Sequence, residues 1–309
     1  MTDLVIIGAG PCGMSAAIYA ARAGNTVTLI EKKNYGGQMM ISFNVDNYPG
    51  VENISGAELS ENMMKQVRKS GVKVANDEIV KIIKNGSRFI AVSKRNSYEC
   101  IAVILANGGK YRKLNCEGEE RLTGKGVSWC AVCDGPLFKG RDVAVIGGGD
   151  SAAEEALYLS EICGMVYLVH YKETFSAKKT LLDKLSLINN IKILKPYEVY
   201  SVNGEESVES ITLKNRNNGD FINVHVNGVF EAIGYLPENG MFSELIKLDE
   251  KGYAVADENC KTGVLGLFAA GDTRPKYLKQ IVTAVSDGAV AAVSASEYIS
   301  LLKREQKNG

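Results

Sequence analysis

The five residues Cys130-Ala131-Val132-Cys133-Asp134 carry the most pointed chemistry in this sequence. A C-x-x-C pair in a cytosolic type of chain with nucleotide-binding βαβ units reads as a redox dithiol. The competing use of such a pair is structural zinc, which normally takes four ligands. The chain has no second C-x-x-C, and its two histidines, His170 and His225, are distant in sequence, so no metal is expected. Asp134 has two readings. With a raised pKa it could relay a proton as thiolates form and disappear, or it could cap a helix N-terminus. The other cysteines, at 12, 100, 116, 163 and 260, are irregularly spaced and read as small apolar fillers.

Two glycine-rich turns are the next feature. Gly8-x-Gly10-x-x-Gly13 stands where an apolar β-run gives way to an Ala-rich helical stretch. Glu31 closes the following β-run, near the spacing of about 20 residues expected of an acid that holds a ribose hydroxyl. Glycine at such a turn lets backbone N–H groups approach a pyrophosphate at the helix N-terminus, so a dinucleotide is expected there. Gly147-x-Gly149-x-x-Ala152 repeats the grammar, with an alanine still small enough for close helix–strand contact. Its second β-run ends at His170 rather than an acid, which argues against ordinary NADH ribose recognition. Lys172, Lys178 and Lys179 follow; they either neutralise an extra phosphate or lie solvated on the surface.

These motifs need elements to position them. At 309 residues the chain has length for two domains. Leu4–Glu31 and Val143–His170 each run strand, turn, helix, strand. Residues 86–105 read as a hairpin followed by a buried strand that ends at Asn107-Gly108-Gly109. Residues 191–233 read as meandering strands with turns at 203 and 217, closed by Gly234-Tyr235-Leu236-Pro237. Near the C-terminus a short strand leads to Gly271-Asp272 and then to a long helix with small residues on its packing face. The coarse organisation is a domain at 112–240 inserted into one made from 1–111 and 241–309.

Composition excludes several classes. Hydrophobic residues at 45% and charged ones at 23% fit an ordinary folded chain rather than a disordered one. Lys+Arg and Asp+Glu each number 36, leaving no basic stripe to follow a phosphate backbone, so nucleic acid is not an expected partner. The N-terminal residues lack a basic n-region, and the apolar stretch after them is broken by Pro11 and Arg22. Neither a signal peptide nor a membrane span fits, and a cytoplasmic location is expected.

Beyond its single motifs the sequence resembles the low-molecular-weight thioredoxin reductases over essentially its whole length. GAGPCG, Gly36-Gly37-Gln38, Asn47-Tyr48-Pro49-Gly50, WCAVCDG, GGGDSAAEEALYLS, AIGYLP and AAGD followed by KQIVTA occur in that family's order. The resemblance implies an α/β fold of two Rossmann-like dinucleotide-binding domains of the three-layer ββα type, the second inserted into the first. It implies FAD in the discontinuous first domain, held by Gly8, Gly10, Gly13, Glu31, Gly37, Gln38, Asn47, Asp272, Lys279, Gln280 and Ile281. It implies a pyridine nucleotide at Gly147, Gly149, Ala152, His170 and Lys172, a homodimer, and thioredoxin or a thioredoxin-like protein as substrate. Cys133 would be the flavin-proximal sulfur, Cys130 the one that attacks the substrate disulfide, and Asp134 the acid–base group. A swing of one domain on the other would turn the dithiol from flavin to substrate.

The sequence departs from the family at the second nucleotide site. NADPH-using members follow the β-run with a His-Arg-Arg…Arg pattern, whereas this chain has His170, Tyr171, Lys172 and Ser176. Losing several charged hydrogen bonds, each worth about 1.5–3 kcal/mol, should weaken NADPH by orders of magnitude unless the lysines compensate. NADPH is the family donor, with NADH and reduced ferredoxin as alternatives; the retained glycines favour a nicotinamide. Lys279 stands where arginine is usual. Ferredoxin/flavodoxin-type NADP reductases lack the C-x-x-C, and glutathione-reductase-like enzymes use a C-terminal histidine that is absent here. A reading from another class is a flavin-bound redox sensor that keeps the fold without turning over.

Overall fold

The computed structural model describes residues 2–42 and 44–308. The chain forms two compact units, one from the residues up to Lys110 together with those from Leu236 onward, the other from Tyr111–Tyr235.

The first unit starts with β1 (Thr2–Ile7), α1 (Pro11–Arg22), β2 (Val27–Glu31), α2 (Gly56–Lys69), β3 (Lys73–Asn76), β4 (Ile79–Asn85), β5 (Arg88–Ser93) and β6 (Ser97–Leu105). β3, β2, β1 and β6 lie side by side in parallel, and β4, β5 and β6 form an antiparallel meander. Parallel strands need both faces covered, which is why these read as unbroken apolar runs. Alternate residues go to opposite cores. Leu4, Ile6, Ala102 and Ile104 pack with Met14, Ala16, Ala17 and Ala20 of α1, whereas Val5, Ile7, Val103 and Leu105 pack with Phe89 and Ala91 of β5. Helices, parallel sheet and meander are thus three layers. The hairpin expected from residue 86 starts earlier in the chain, since its first strand, β4, precedes that turn.

β7 (Gly109–Tyr111) leads out of this unit. The second unit contains α3 (Glu119–Leu122), β8 (Val127–Ser128), α4 (Ala131–Asp134), β9 (Val143–Ile146), α5 (Asp150–Ser160), β10 (Val166–Val169), α6 (Lys179–Ser186), β11 (Ile191–Leu194), β12 (Tyr197–Asn203), β13 (Ser210–Asn215), β14 (Phe221–His225) and β15 (Gly228–Glu231). The parallel order is β11-β10-β9-β15-β8. Val143 and Val145 face α5, while Ala144 and Ile146 face the meander β12–β14. Only β12–β14 meander; the expectation for 191–233 is corrected at both ends, where β11 and β15 join the parallel sheet. Short apolar runs do not reveal their pairing partner, and GVFE of β15 is buried on both faces.

β16 (Tyr235–Pro237) pairs with β7. The chain rejoins the first unit ahead of the expected residue 240, because Asn239 is fully buried there. Its amide donates to the carbonyls of Gly252 and Thr273, and its oxygen accepts from Thr273 and Asn107. β17 (Leu267–Ala269) then adds to β6 in parallel, and α7 (Ile281–Asn308) lies on α1. Gly288 permits that approach, since a Cβ there would run into the Cys12 carbonyl. Among the described residues no helix is long and apolar enough to cross a membrane.

Candidate active site

Cys130 and Cys133 are joined by a disulfide, with Cα atoms 5.3 Å apart. They bracket the single turn α4. Cys130 occupies its N-cap position with extended backbone, its carbonyl accepts the Asp134 N–H at 3.0 Å, and the Cys133 N–H lies 3.2 Å from Cys130 Sγ. Gly135 lets the turn sit on α5, where a Cβ would come within 2.9 Å of Leu159. Both cysteines are half-buried while Val132 between them is exposed.

Asp134 stands at the N-cap position of the short 3-10 turn Gly135–Phe138 that follows α4, but its side chain makes no capping hydrogen bond there. The Ser128 hydroxyl donates to its carboxylate, and Ser128 Oγ in turn accepts the Cys130 N–H at 3.0 Å. Burial raises the Asp134 pKa, and the Ser128 hydrogen bond opposes the rise. Ser128 was missed in the sequence, where a serine before a tryptophan carries no pattern. Of the other cysteines, Cys12, Cys100, Cys163 and Cys260 are buried and Cys116 half-buried. Burial pushes the thiols of Cys100, Cys116 and Cys260 up to about 12, which leaves them inert at neutral pH. Among the described residues no group of three or more metal-ligating side chains forms.

The first glycine turn is a cradle. Gly8 has a φ of +103°, and a Cβ there would strike the Ala106 carbonyl; one on Gly13 would strike Gly8 itself. Gly10 differs, because a Cβ on it would meet only Gly37 Cα, at 4.0 Å. Open space therefore remains at the N-terminus of α1, which no side chain caps. Glu31 braces the turn, accepting the Ala9 N–H at 2.8 Å on one oxygen and the Lys33 N–H at 3.0 Å on the other. Gln38 donates to the Gly109 carbonyl, and Asn47 to the side chain of Gln280.

Asp272 enters on the turn after β17. Among the described residues nothing donates to its buried Oδ1, and burial raises its pKa to about 6 against the pull of Lys279 and Lys276. Lys279 lies over the Tyr253 ring and donates to its hydroxyl. Ile281 begins α7. The turn is held by a buried ion cluster that the sequence did not disclose: Asp287 of α7 accepts the Gly271 N–H at 2.9 Å and receives Arg274 at 2.7 and 3.1 Å, with Lys276 beside it.

The second turn is built likewise. A Cβ on Gly147 would come within 2.7 Å of the Ala152 Cβ, so the two small residues depend on each other. Gly149, at the N-cap of α5, has only Ser176 Oγ within reach, at 3.8 Å. His170 is buried beneath the turn, stacked on Phe175 and bonded through Nε2 to the Thr174 carbonyl; burial lowers its pKa. Ser176 hydrogen-bonds the Gly148 carbonyl, and Lys178 pairs with Asp150. Lys172 and Arg216 both lie over the Tyr171 ring, at 5.3 and 5.4 Å. Arg216, on the β13–β14 turn, went unnoticed in the sequence because only folding brings it to the end of β10.

Residues 2–288 match the model of the pyridine nucleotide-disulphide oxidoreductase family. The chain is similar to a thioredoxin reductase of Treponema pallidum (strain Nichols), 40% identical over 302 residues that cover 97% of this chain and 98% of that protein. Among solved structures it is similar to the thioredoxin reductase of Streptococcus pyogenes MGAS5005, with a TM-score of 0.95, 39% identity, and coverage of 97% of this chain and 98% of that one. A ferredoxin-flavin thioredoxin reductase of Clostridium acetobutylicum is also similar, with a TM-score of 0.55, 29% identity and 98% coverage of both chains.

Proposed function

The chain belongs to the pyridine nucleotide-disulphide oxidoreductase family, and from that premise we propose that it is a thioredoxin reductase that uses FAD, a nicotinamide donor and the Cys130/Cys133 dithiol. The observation that carries this reading is the disulfide at Cys130–Cys133, formed on a turn that also presents a buried carboxyl. Near full-length similarity to proteins of that name supports it.

FAD fits the first unit. Gly8, Gly10 and Gly13 leave the α1 N-terminus open for a pyrophosphate, Glu31 faces the turn with spare acceptor capacity for ribose hydroxyls, and the orphaned Oδ1 of Asp272 awaits a donor. Gly37, Gln38, Asn47, Lys279, Gln280 and Ile281 complete the set. The chemistry supplied by bound FAD is two-electron exchange with a nicotinamide and with a disulfide. Gly147, Gly149 and Ala152 would receive the nicotinamide dinucleotide, with Lys172 and Arg216 at its adenosine end.

In the reduced dithiol, Cys130 as thiolate attacks one sulfur of the thioredoxin disulfide. A mixed disulfide forms, and the displaced thioredoxin sulfur takes a proton. Cys133 then attacks Cys130 Sγ, which restores the internal disulfide and releases the second thioredoxin thiol. Asp134 holds the proton that these steps move. A homodimer and a cytoplasmic location belong to the same reading.

A second reading concerns the donor alone. Positions 171, 172 and 176 carry Tyr, Lys and Ser, and reduced ferredoxin would make a nicotinamide site unnecessary. Anaerobic titration of the yellow protein with NADPH, NADH and reduced ferredoxin, followed by thioredoxin reduction, tests both readings. Bleaching by a nicotinamide and turnover that requires both cysteines is the expected result. Bleaching by ferredoxin alone establishes the second reading, and absence of turnover with every donor overturns the enzyme reading in favour of a redox sensor.

A further inference from the structure

Trp129, the only tryptophan of the chain, directly precedes Cys130 and is buried. Its indole N–H donates to Oε2 of Glu231 at 2.9 Å. Glu231 ends β15 with 2% exposure, and Glu119, which opens α3, has 3%. The two carboxyl groups face each other closely enough to act on one another's proton. Oε2 of Glu119 accepts the Asn115 N–H at 2.6 Å. The Oε1 atoms of both are buried, and among the described residues no donor reaches either.

Two carboxylates cannot bond each other, since both are acceptors only. One proton between them removes the conflict. It supplies the missing donor and leaves one negative charge in the site instead of two. The rest of the surroundings fits this. The Leu114 N–H supports Glu231, and both carboxyls push the neighbouring Cys116 thiol up, in addition to burial. Burial first, then the charge of Glu119, raises the Glu231 pKa well above the usual carboxylate range. The other titratable groups close by are Tyr111, stacked on Trp129 at 5.8 Å, Tyr235, edge-on to Tyr111 at 5.1 Å, and Asp134, linked to the Cys130 amide through Ser128.

We propose that Glu119 and Glu231 share a single proton, and that the bridged pair is a positioning device which fixes Trp129 and thereby the Cys130 end of the redox turn. The proposal rests on Cys130–Cys133 being the reacting pair. When the shared proton leaves, two like charges face each other in a buried site, and the indole N–H loses a defined acceptor.

The test uses the oxidised FAD-loaded protein. Infrared spectroscopy at neutral pH should show the C=O stretch of a protonated carboxylic acid, lost in Glu119→Gln and in Glu231→Gln. Trp129 fluorescence should shift with a midpoint well above the ordinary glutamate range. Glu231→Gln should abolish that shift, because its amide donates to Glu119 and accepts from Trp129 without titrating, and should retain thioredoxin turnover above that pH where the parent declines. Glu231→Leu should lower turnover on the order of tenfold with unchanged flavin content, as expected of a misplaced reacting group. Absence of the carboxylic acid band, or an unchanged fluorescence titration in Glu231→Gln, overturns the proposal. A protein that never turns over thioredoxin overturns the functional reading instead, and the two spectral readouts still decide the state of the pair.

Discussion

The backbone N–H of Cys133 lies 3.2 Å from Sγ of Cys130, across the redox pair. On reduction this donor supports negative charge on Cys130. Cys130 should therefore be the sulfur that exchanges with thioredoxin. Cys133→Ser is expected to accumulate a mixed disulfide with thioredoxin, detected by non-reducing electrophoresis, and Cys130→Ser to form none. Trapping by Cys130→Ser alone reverses the assignment.

Asp134 sets a pH dependence of definite sign. Burial keeps its carboxyl protonated to higher pH than an exposed aspartate, with the Ser128 hydroxyl in partial opposition. A step that needs the acid form is thus fully supported below the raised pKa and fades as pH rises through it. Asp134→Asn should slow exchange by about a hundredfold and flatten that limb. A rapid-mixing pH profile in which the variant keeps the parent's limb would exclude Asp134 as the acid.

The glycine cradle separates fold from ligand. A Cβ on Gly13 runs into Gly8, whereas one on Gly10 meets only Gly37 Cα at 4.0 Å. Gly13→Ala should destabilise the protein itself. Gly10→Ala should keep the parent's melting temperature measured without flavin, yet lose FAD, because its methyl fills the space left for the pyrophosphate. Full retention of flavin absorbance in Gly10→Ala would remove the phosphate from that turn.

What was legible in the sequence follows from which interactions are local. Strand, glycine turn and helix are written consecutively, so both nucleotide units could be read from Gly8 to Glu31 and from Gly147 to His170. Asp134 lies beside Cys133, so its presence at the dithiol was also plain. Ser128, Glu231 and Arg216 were not legible as partners. Glu231 meets Trp129 only because β15 pairs with β8 and β9, and Arg216 meets Tyr171 only through a hairpin on a different sheet. The same limit hid Asp287, whose partner Arg274 precedes α7 in an irregular segment.

Arg216 bears on the choice of nicotinamide. It supplies a guanidinium beside Tyr171 and Lys172, with Glu198 3.6 Å away as its ion-pair partner. If this cluster receives a 2′-phosphate, Arg216→Ala should weaken binding of 2′,5′-ADP by roughly tenfold or more and leave binding of 5′-AMP unaltered. Calorimetry with the two nucleotides checks it. Equal weakening of both would assign Arg216 to the adenine or the fold rather than to the phosphate.

Asp287 is expected to matter for the stability of the first unit. It receives Arg274 and Lys276 in a buried site and also holds the Gly271 N–H. Removing it leaves the buried Arg274 and the half-buried Lys276 without their counter-charge, a loss on the order of 3–5 kcal/mol. Although burial acts to raise its pKa, Arg274 first and then Lys276 and the Gly271 N–H hold it below the usual carboxylate range. Its contribution is therefore complete above the ordinary aspartate pKa and lost as pH falls through the depressed value. Urea unfolding of Asp287→Asn should show a clear loss at neutral pH, and the gap to the parent should narrow in acid. A gap that stays constant on acidification would mean the carboxylate charge is not what stabilises the Gly271–Asp272 turn.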